Sequence, residues 1–225
     1  MALQDRLDAF KADFIAGKWR RQPSQEVADT MSRATAELID SGQAQQARKA
    51  GDSAPPFTLN DPEGRPVASR DLLAQGPLVV SFYRGVWCPY CNLELQALQD
   101  VLPAISARGA NLVAISPQTA ANSRKSQRDN NLSFPILSDV GSEVANAFGI
   151  RFALPDYLVA LYKGFGNDLP TVNNDPSWVL PMPARYVIAP DGIIAYAEVN
   201  PDYTRRPDPS DLLPVLDRLN ASKAA

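Results

Sequence analysis

Short apolar runs alternate with longer amphipathic or polar stretches along most of this chain. The three clearest runs are continuous, which is typical of strands buried on both faces. They lie at residues 77–83, 112–116 and 134–137. The stretches around them predict helices at residues 69–73, 89–108, 119–129 and 142–148. Pro103 is expected to bend or interrupt the second of these helices. Strands that alternate with helices predict a parallel sheet with right-handed crossovers.

The C-terminal third departs from this alternation. Residues 150–183 contain one predicted helix, at 155–163, and then a loop rich in Pro, Asn and Asp, so we interpret them as an insertion. A β-hairpin and a last helix follow, at residues 185–189, 193–199 and 210–219. The element order β-α-β-α-β-α-β-β-α predicts an α/β protein with a thioredoxin-like fold.

Residues 1–50 form an N-terminal helical extension in this interpretation, and residues 51–225 form the main domain. Two apolar stripes at helical spacing predict two helices, separated by a break at Pro23 and Ser24. The stripes are Leu3, Leu7, Phe10, Phe14 and Ile15, then Val27, Met31, Ala34, Leu38 and Ile39. We expect both helices to pack on the main domain or on a second subunit.

Charge and hydropathy narrow the classes of partner. The 225 residues carry a net charge of −3, with acidic and basic residues mixed. This balance gives no reason to expect a nucleic acid or an anionic membrane as partner. The sequence has no apolar run near the ~20 residues that cross a bilayer, and its N-terminus lacks the apolar core of a secretory signal. A cytoplasmic location is the resulting prediction.

The content of histidine and cysteine restricts the chemistry further. The chain has no histidine, which excludes the usual Ser-His-Asp and Cys-His forms of catalysis. Its two cysteines, Cys88 and Cys91, are too few for a structural zinc site, which usually needs four Cys or His ligands. We therefore predict neither a metal nor a cofactor.

The two cysteines form a Cys-x-x-Cys motif between a predicted strand and a predicted helix, with Pro89 in the first helical turn. A helix N-terminus stabilises a thiolate, the form of cysteine that attacks disulfides or peroxides. Arg84 would add a full positive charge. Sulfurs three residues apart face each other across one turn, so each can resolve a bond that the other has made. A zinc half-site, a structural disulfide and two buried, unreactive cysteines are the weaker alternatives.

The stretch around the cysteines resembles the active-site segment of peroxiredoxins, in the broad alkyl hydroperoxide reductase and thiol-specific antioxidant group. The resemblance covers about residues 50–220. Peroxiredoxins have Phe-Tyr-Pro, then a Thr or Ser, and then, after two intervening residues, the peroxidatic Cys. In this chain the corresponding residues are Phe82, Tyr83, Arg84 in place of Pro, Cys88 at the Thr position and Cys91 at the peroxidatic position, with Glu94 in the helix beyond.

This resemblance implies a thiol-dependent peroxidase that reduces hydrogen peroxide and alkyl hydroperoxides. Cys91 would attack the peroxide and become a sulfenic acid. The spacing of the two cysteines predicts that Cys88 then forms an intramolecular disulfide with it, and attack by an external thiol is the alternative. A thioredoxin- or glutaredoxin-type donor would restore both thiols. Arg84 would lower the thiolate pKa and stabilise the leaving oxygen, with Tyr83 and Trp87 beside the substrate. A homodimer is possible, and the reverse order of the two cysteines stays open.

The sequence departs from peroxiredoxins at the strand that follows the insertion. Pro183 stands where the family has an arginine, three residues before the aromatic Tyr186. A proline here resembles the cis-proline that lies beside Cys-x-x-Cys in thioredoxins, although an ordinary trans proline is as compatible with the sequence. Arg185 is a second candidate for substrate binding, and its alternative is an exposed charge at a strand edge.

Two other functions fit the same residues. The Trp-Cys-Pro-Tyr-Cys motif and Pro183 favour a thiol–disulfide oxidoreductase of thioredoxin or glutaredoxin type that acts on protein disulfides. A redox sensor or interaction module is the third possibility, with residues 1–50 and 150–183 as binding segments. The peroxidase is the preferred hypothesis because the spacing from Phe82 to Cys91 is that of peroxiredoxins.

Overall fold

A computed structural model describes residues 1–18 and 23–223. The strands, in chain order, are β1 (Thr58–Asn60), β2 (Pro66–Ala68), β3 (Leu78–Phe82), β4 (Asn111–Ser116), β5 (Ile136–Ser138), β6 (Arg151–Ala153), β7 (Val179–Pro181), β8 (Ala184–Ile188) and β9 (Ile194–Val199). The α-helices are α1 (Leu3–Ile15), α2 (Gln25–Asp40), α3 (Ser69–Leu73), α4 (Pro89–Ser106), α5 (Ala120–Asp129), α6 (Glu143–Ala147), α7 (Asp156–Gly164), α8 (Leu169–Asn173) and α9 (Leu213–Lys223).

The described residues form a seven-stranded sheet in the order β2-β1-β5-β4-β3-β8-β9. The three predicted apolar runs become β3, β4 and β5, which pair in parallel as expected. The sheet as a whole is mixed, because β1 and the β8–β9 hairpin add antiparallel strands at its two sides. Phe82 at the end of β3 pairs with Ala184 at the start of β8, so the segments following β3 and preceding β8 lie side by side.

Helix α4 begins at Pro89 and carries the cysteine motif at its N-terminus. The helix runs through Pro103 to Ser106, so the expected interruption does not occur. The physical reason is position: Pro103 lies in the last turn, where its missing N–H removes one hydrogen bond near an end that frays in any case.

Apolar side chains cover both faces of the central sheet. Val79 and Tyr83 of one face belong to a core cluster with Leu95 and Leu98 of α4. Phe82 belongs to the cluster on the other face, where its ring packs against the rings of Phe148 and Tyr186. Successive side chains of β3 therefore point to opposite faces of the sheet and pack in two separate cores.

The N-terminal helices differ in how they join the domain. Leu3 and Leu7 of α1 are almost completely buried in the core cluster that contains α4. Burial of a leucine side chain is worth about 1.5–3 kcal/mol, so α1 contributes to the stability of the main core. Helix α2 packs against α7, and its side chains are half-buried or exposed in the described structure. The break before α2 is as predicted, and the Ser24 hydroxyl accepts a hydrogen bond from the N–H of Val27.

The insertion contains more regular structure than its sequence predicts. Strands β6 and β7 pair with each other in a separate antiparallel ribbon, with α7 and α8 between them. The predicted loop is therefore partly helix and strand, because Leu169 and Leu180 are buried in a local apolar cluster with α7. That cluster also includes Tyr162, whose hydroxyl accepts a hydrogen bond from Arg84 in the loop before the cysteine motif. Within the described residues, we find no helix with the length and apolarity that crossing a bilayer requires.

Candidate active site

Cys88 is the residue that caps the N-terminus of α4. Its sulfur accepts the backbone N–H of Cys91 at 3.4 Å, and its own N–H donates to the carbonyl of Gly85 at 3.0 Å. Pro89 follows in the first turn, where the missing N–H has no cost. The sulfur thus lies at the end of the helix where unpaired N–H groups and the positive end of the dipole stabilise an anion.

Three donors converge on the Cys88 sulfur. The first is the backbone N–H of Cys91, and the second is the Arg84 Nη2 atom, 3.3 Å from the sulfur. The third is the Cys91 thiol, whose sulfur lies 2.6 Å away, with both cysteines reduced. A disulfide bond is about 2.05 Å long, so oxidation of this pair to a disulfide would need only a small displacement of the sulfurs. The arrangement stabilises negative charge on Cys88 and leaves the proton on Cys91.

The pKa values of the two thiols separate for this reason. Burial alone would raise the pKa of Cys88, but the hydrogen bond from Cys91 and the positive charge of Arg84 lower it to about 5. Burial raises the pKa of Cys91 well above its ordinary value, and the hydrogen bond and negative charge of Cys88 raise it further. These contacts favour the thiolate on Cys88, whereas the resemblance to peroxiredoxins places the attacking thiol at Cys91.

Arg84 is itself held by aromatic side chains from three parts of the chain. Its Nη1 atom donates to the Tyr162 hydroxyl at 3.1 Å, and its guanidinium lies 3.9 Å from the centre of the Tyr203 ring and 5.1 Å from that of Trp87. These cation–π contacts keep the guanidinium charged and directed at Cys88. Only 4% of Arg84 is exposed, and its Nε atom has no hydrogen-bond acceptor among the described groups.

The loop between β3 and α4 is fixed by side chains that do not touch the sulfurs. The Gln118 Oε1 atom accepts the N–H of Val86 at 2.7 Å, and Asn92 donates to the Val86 carbonyl at 2.9 Å. Gly85 has a φ of +143°, and a Cβ atom there would lie 2.6 Å from the Trp87 indole nitrogen. Glycine is required at this position on both grounds.

The predicted substrate residues Tyr83 and Trp87 occupy different places. Tyr83 is fully buried beside the cysteines, and its hydroxyl accepts a hydrogen bond from Gln118 at 2.7 Å, so it anchors the loop from inside the core. Trp87 is half-buried and packs edge-on against Tyr162, with ring centres 5.3 Å apart. Trp87 is also a wall of an open cavity in front of the site.

Pro183 lies beside the site as predicted, but without the cis bond that the resemblance to thioredoxins suggested. It shares a small cavity of about 30 Å³ with Arg84, Tyr162 and Tyr203. Every peptide bond in the described part of the chain is trans. Pro183 directly precedes β8, and its carbonyl accepts the N–H of Asn200 at 3.1 Å.

Arg185 is not the exposed strand-edge charge that the sequence left open. Only 1% of it is exposed, and its Nη2 atom lies 2.8 Å from the Glu94 carboxylate. Arg206 binds the other oxygen of Glu94 at 2.6 Å. Glu94 follows Cys91 by one helical turn, which places this buried charge cluster directly behind the cysteine motif.

The charge cluster keeps Glu94 ionised inside the protein. Burial alone would raise the pKa of Glu94, but the two arginines lower it below its ordinary value. Arg185 and Arg206 together carry one more positive charge than Glu94 neutralises. The Nε and Nη1 atoms of Arg185 and the Nη2 atom of Arg206 have no acceptor among the described residues. The positive charges of Arg84 and then Arg206 act to lower the pKa of Cys91, but burial and the neighbouring Cys88 raise it more strongly.

Both sulfurs are fully covered in this reduced structure. They lie at the polar tip of α4, where a cation and a backbone N–H contact Cys88, and not in purely apolar packing. A reactant must therefore approach past Arg84 and the aromatic residues around it. Across the described chain, no group of three or more His, Cys, Asp or Glu residues is arranged to hold a metal ion.

Several site residues have no signal in the local sequence. These residues are 27 to 118 positions from the cysteines along the chain, and only the tertiary fold brings them close: Gln118, Tyr162, Tyr203 and Arg206. Glu94 is the exception, since the alignment with peroxiredoxins already placed it in the helix after the cysteines.

The chain is similar to curated proteins of two redox types. It is 34% identical over 100 residues to the chloroplastic peroxiredoxin Q of Sedum lineare, a match that covers 44% of this chain and 53% of that protein. It is 31% identical over 101 residues to the thiol-disulfide oxidoreductase ResA of Geobacillus thermodenitrificans, covering 44% of this chain and 57% of that one. The match thus spans about half the length of these curated relatives.

Solved structures show the same fold. Peroxidoxin BcpB from Mycobacterium tuberculosis superimposes with a TM-score of 0.59 at 23% identity, covering 77% of this chain and 97% of that one. A peroxiredoxin-like protein from Aquifex aeolicus gives a TM-score of 0.59 at 14% identity, covering 77% and 88%. The thioredoxin-like fold predicted from the element order is therefore confirmed.

The family model described as "AhpC/TSA family" matches residues 50–197, which is more than half of the 225 residues. The matched segment contains the sheet, the cysteine motif and the insertion. The chain belongs to the AhpC/TSA family.

Proposed function

We propose that this protein is a thiol-dependent peroxidase that reduces hydrogen peroxide and organic hydroperoxides. One observation carries the proposal: the Cys88 sulfur accepts a hydrogen bond from the Arg84 Nη2 atom at 3.3 Å and lies 2.6 Å from the sulfur of a second thiol. The first contact supplies a thiolate at neutral pH, and the second supplies a partner to resolve the oxidised product. Membership of the AhpC/TSA family and the similarity to peroxiredoxin Q support the same activity.

In the first step the Cys88 thiolate attacks the terminal oxygen of the hydroperoxide. The S–O bond forms as the O–O bond breaks, and the organic oxygen leaves as an alkoxide that takes a proton to become an alcohol, or water when the substrate is hydrogen peroxide. Arg84 stabilises both the thiolate and the negative charge that develops on the departing oxygen. Cys88 is left as a sulfenic acid, oxidised by two electrons.

In the second step the Cys91 sulfur attacks the sulfenic sulfur. The S–S bond forms, the S–O bond breaks, and the oxygen leaves as water with the proton of Cys91. A dithiol donor of the thioredoxin or glutaredoxin type then supplies two electrons and two protons by thiol–disulfide exchange. Because both sulfurs are covered in the reduced protein, this exchange requires the first turn of α4 to move.

This assignment reverses the roles that the alignment implied, in which Cys91 attacks first. The reason is electrostatic: burial and the neighbouring thiolate hold the proton on Cys91, whereas Arg84 and the helix N-terminus remove it from Cys88. The cytoplasmic location and the homodimer stay predictions from the sequence.

The thiol–disulfide oxidoreductase is the less favoured alternative. The similarity to ResA and the position of Pro183 beside Arg84 are compatible with it. A protein disulfide, however, would have to reach Cys88 in the reduced protein, in which both sulfurs are covered. The peroxidase needs only a small molecule at that stage, and its protein donor acts later, on the oxidised form, once the first turn of α4 has moved.

The test is stopped-flow kinetics of the reduced protein with hydrogen peroxide, comparing wild type with Cys88→Ser and Cys91→Ser. We expect Cys88→Ser to lose the rapid oxidation, and Cys91→Ser to retain it but to stop at the sulfenic acid. Insulin disulfide reduction by the same samples is the counter-test. Rapid insulin reduction without rapid peroxide consumption would replace the peroxidase with the oxidoreductase.

A further inference from the structure

The N-terminal helices and the candidate active site enclose a cavity of about 460 Å³ that the peroxidase chemistry does not explain. Helices α1 and α2 form one side of it, through residues that include Phe14, Met31 and Thr35. Trp87, Arg84 and Tyr203 form the opposite side. The cavity therefore opens directly onto the cation that contacts the Cys88 sulfur.

The size of this cavity does not suit hydrogen peroxide. A water molecule occupies about 30 Å³ in the liquid, and hydrogen peroxide has only one more oxygen atom. Small-molecule sites in proteins have volumes of about 300–1,000 Å³ with mainly apolar walls. At about 460 Å³, with aromatic and aliphatic side chains on both sides, this cavity matches an organic molecule with a sizeable hydrocarbon group.

The polar end of such a molecule has a place beside Arg84. This arginine is buried, and its Nε atom has no acceptor within the described structure, while its Nη atoms contact Cys88 and Tyr162. A buried donor without an acceptor has a free-energy cost that a bound oxygen would remove. Arg84 lines this cavity, so a hydroperoxide oxygen that reaches its guanidinium would lie close to the thiolate.

We propose that this cavity binds the hydrocarbon group of an organic hydroperoxide, and that α1 and α2 determine the preference of the enzyme for bulky apolar hydroperoxides. The proposal rests on the peroxidase function proposed above. It assigns a role to helices that lie outside residues 50–197, the part matched by the family model. Cys88 attacks the terminal oxygen as before, and the alcohol that forms leaves through the same cavity.

The first test reduces the volume of the cavity without changing the residues around the sulfurs. Thr35→Phe places a ring in the cavity from α2. Thr30→Phe is the matched control, because Thr30 lies about 140° around the same helix from Thr35 at about 3.6 residues per turn. We compare kcat/KM for cumene hydroperoxide with kcat/KM for hydrogen peroxide.

We expect Thr35→Phe to lower the ratio of these two constants at least about tenfold relative to wild type, since a filled cavity excludes the larger substrate. The ratio should be unchanged in Thr30→Phe. Equal ratios in all three proteins would overturn the proposal. If Thr35→Phe does not fold, as judged by circular dichroism, Ala36→Phe fills the same cavity from a more exposed position and carries the same expectation.

The second test does not depend on peroxidase activity. Calorimetry measures binding of 2-phenyl-2-propanol, the alcohol product of cumene hydroperoxide, to the reduced protein. We expect saturable binding that weakens at least about tenfold in Thr35→Phe but not in Thr30→Phe, with the negative heat-capacity change of apolar burial. Binding that Thr35→Phe does not weaken, or no binding at all, would overturn the cavity assignment.

The two tests also separate the possible failures. Binding of the alcohol that is sensitive to Thr35→Phe, in a protein that consumes neither peroxide, supports the cavity as a ligand site and contradicts the peroxidase function. Rapid consumption of hydrogen peroxide without alcohol binding supports the peroxidase function and overturns the cavity proposal. The cavity proposal would also be overturned if a second copy of the chain occupied the cavity. Light scattering would then show a dimer, and Thr35→Phe would dissociate this dimer.

Discussion

The Arg84 Nη2 atom lies 3.3 Å from the Cys88 sulfur, four residues further along the chain, and both are buried. The guanidinium cannot leave this position easily, because the Tyr203 ring covers it at 3.9 Å and the Tyr162 hydroxyl holds its Nη1 atom. A fixed cation beside a buried thiol has one main consequence: the thiol ionises far more readily than an ordinary cysteine.

The pH dependence of the reaction with peroxide follows from this contact. Only the thiolate attacks, so the rate should rise as the pH increases through the pKa of Cys88, about 5, and stay level through neutrality. An ordinary cysteine would give a rate that is still rising at pH 8. Stopped-flow rates between pH 4 and 9 test this, with thiolate absorbance at 240 nm as an independent readout. A midpoint above about pH 8 contradicts the proposed ionisation.

Replacement of the cation should raise the pKa of Cys88. We expect Arg84→Met to raise this pKa by about one to three units, the usual effect of removing an opposite charge at such a distance. The rate at pH 6 should fall, and part of the loss should be recovered at pH 9. Arg70→Met is the matched control, because Arg70 is an exposed arginine on α3. An unchanged absorbance titration in Arg84→Met would show that Arg84 does not set the thiolate pKa.

Gln118 should act on the site by positioning the loop that carries Arg84. Its amide oxygen accepts the Val86 N–H and its amide nitrogen donates to the Tyr83 hydroxyl, and both contacts lie in or near the core. Gln118→Leu leaves these buried groups unpaired, so we expect a loss of about 1–3 kcal/mol in the free energy of unfolding.

The same variant should slow the reaction with peroxide even under conditions where it remains folded. Urea unfolding and stopped-flow kinetics measure the two effects. Gln99→Leu is the control, since the Gln99 amide makes its hydrogen bonds with Ser133 at the surface. A Gln118→Leu protein that is destabilised but reacts at the wild-type rate would restrict the role of Gln118 to folding.

Glu94 should be important for stability because its carboxylate pairs with two buried arginines. Its carboxylate accepts hydrogen bonds from the Arg185 Nη2 atom at 2.8 Å and from the Arg206 Nε atom at 2.6 Å. Glu94→Gln leaves both charges in the core, and the loss of one partner of a buried ion pair typically costs about 3–5 kcal/mol. Chemical denaturation of reduced samples measures the change, with Glu63→Gln, an exposed carboxylate, as control. A loss below about 1 kcal/mol would show that solvent screens this cluster.

Local patterns in the sequence predicted much of the fold. The apolar runs that become β3, β4 and β5 have both faces buried, so burial and sequence composition agree there. The hairpin of β8 and β9 was predicted by its turn, and the break before α2 by Pro23 and Ser24. Strands β6 and β7 could not be predicted in this way, because each has three residues and is stabilised by the other across the insertion.

The chemistry of the site was predicted only in part, for a similar reason. The helix N-terminus at Cys88 and the cation at Arg84 are local features of one segment. The order of the two thiols depends on which sulfur the guanidinium reaches, and this depends on Tyr162 and Tyr203, which come from distant segments. The resemblance to peroxiredoxins, which implies attack by Cys91, compares positions along the chain and carries no information on these contacts.

The measurement that tests the central claim most directly is mass spectrometry of reduced Cys91→Ser after one equivalent of hydrogen peroxide, with dimedone present. In this variant a sulfenic acid on Cys88 has no resolving partner, so we predict a dimedone adduct on Cys88 within the first seconds at pH 7. The parallel sample of Cys88→Ser should carry no adduct on Cys91 at that time. A rapid adduct on Cys91 in Cys88→Ser, with Cys88 unmodified in Cys91→Ser, would contradict the assignment of Cys88 as the attacking thiolate.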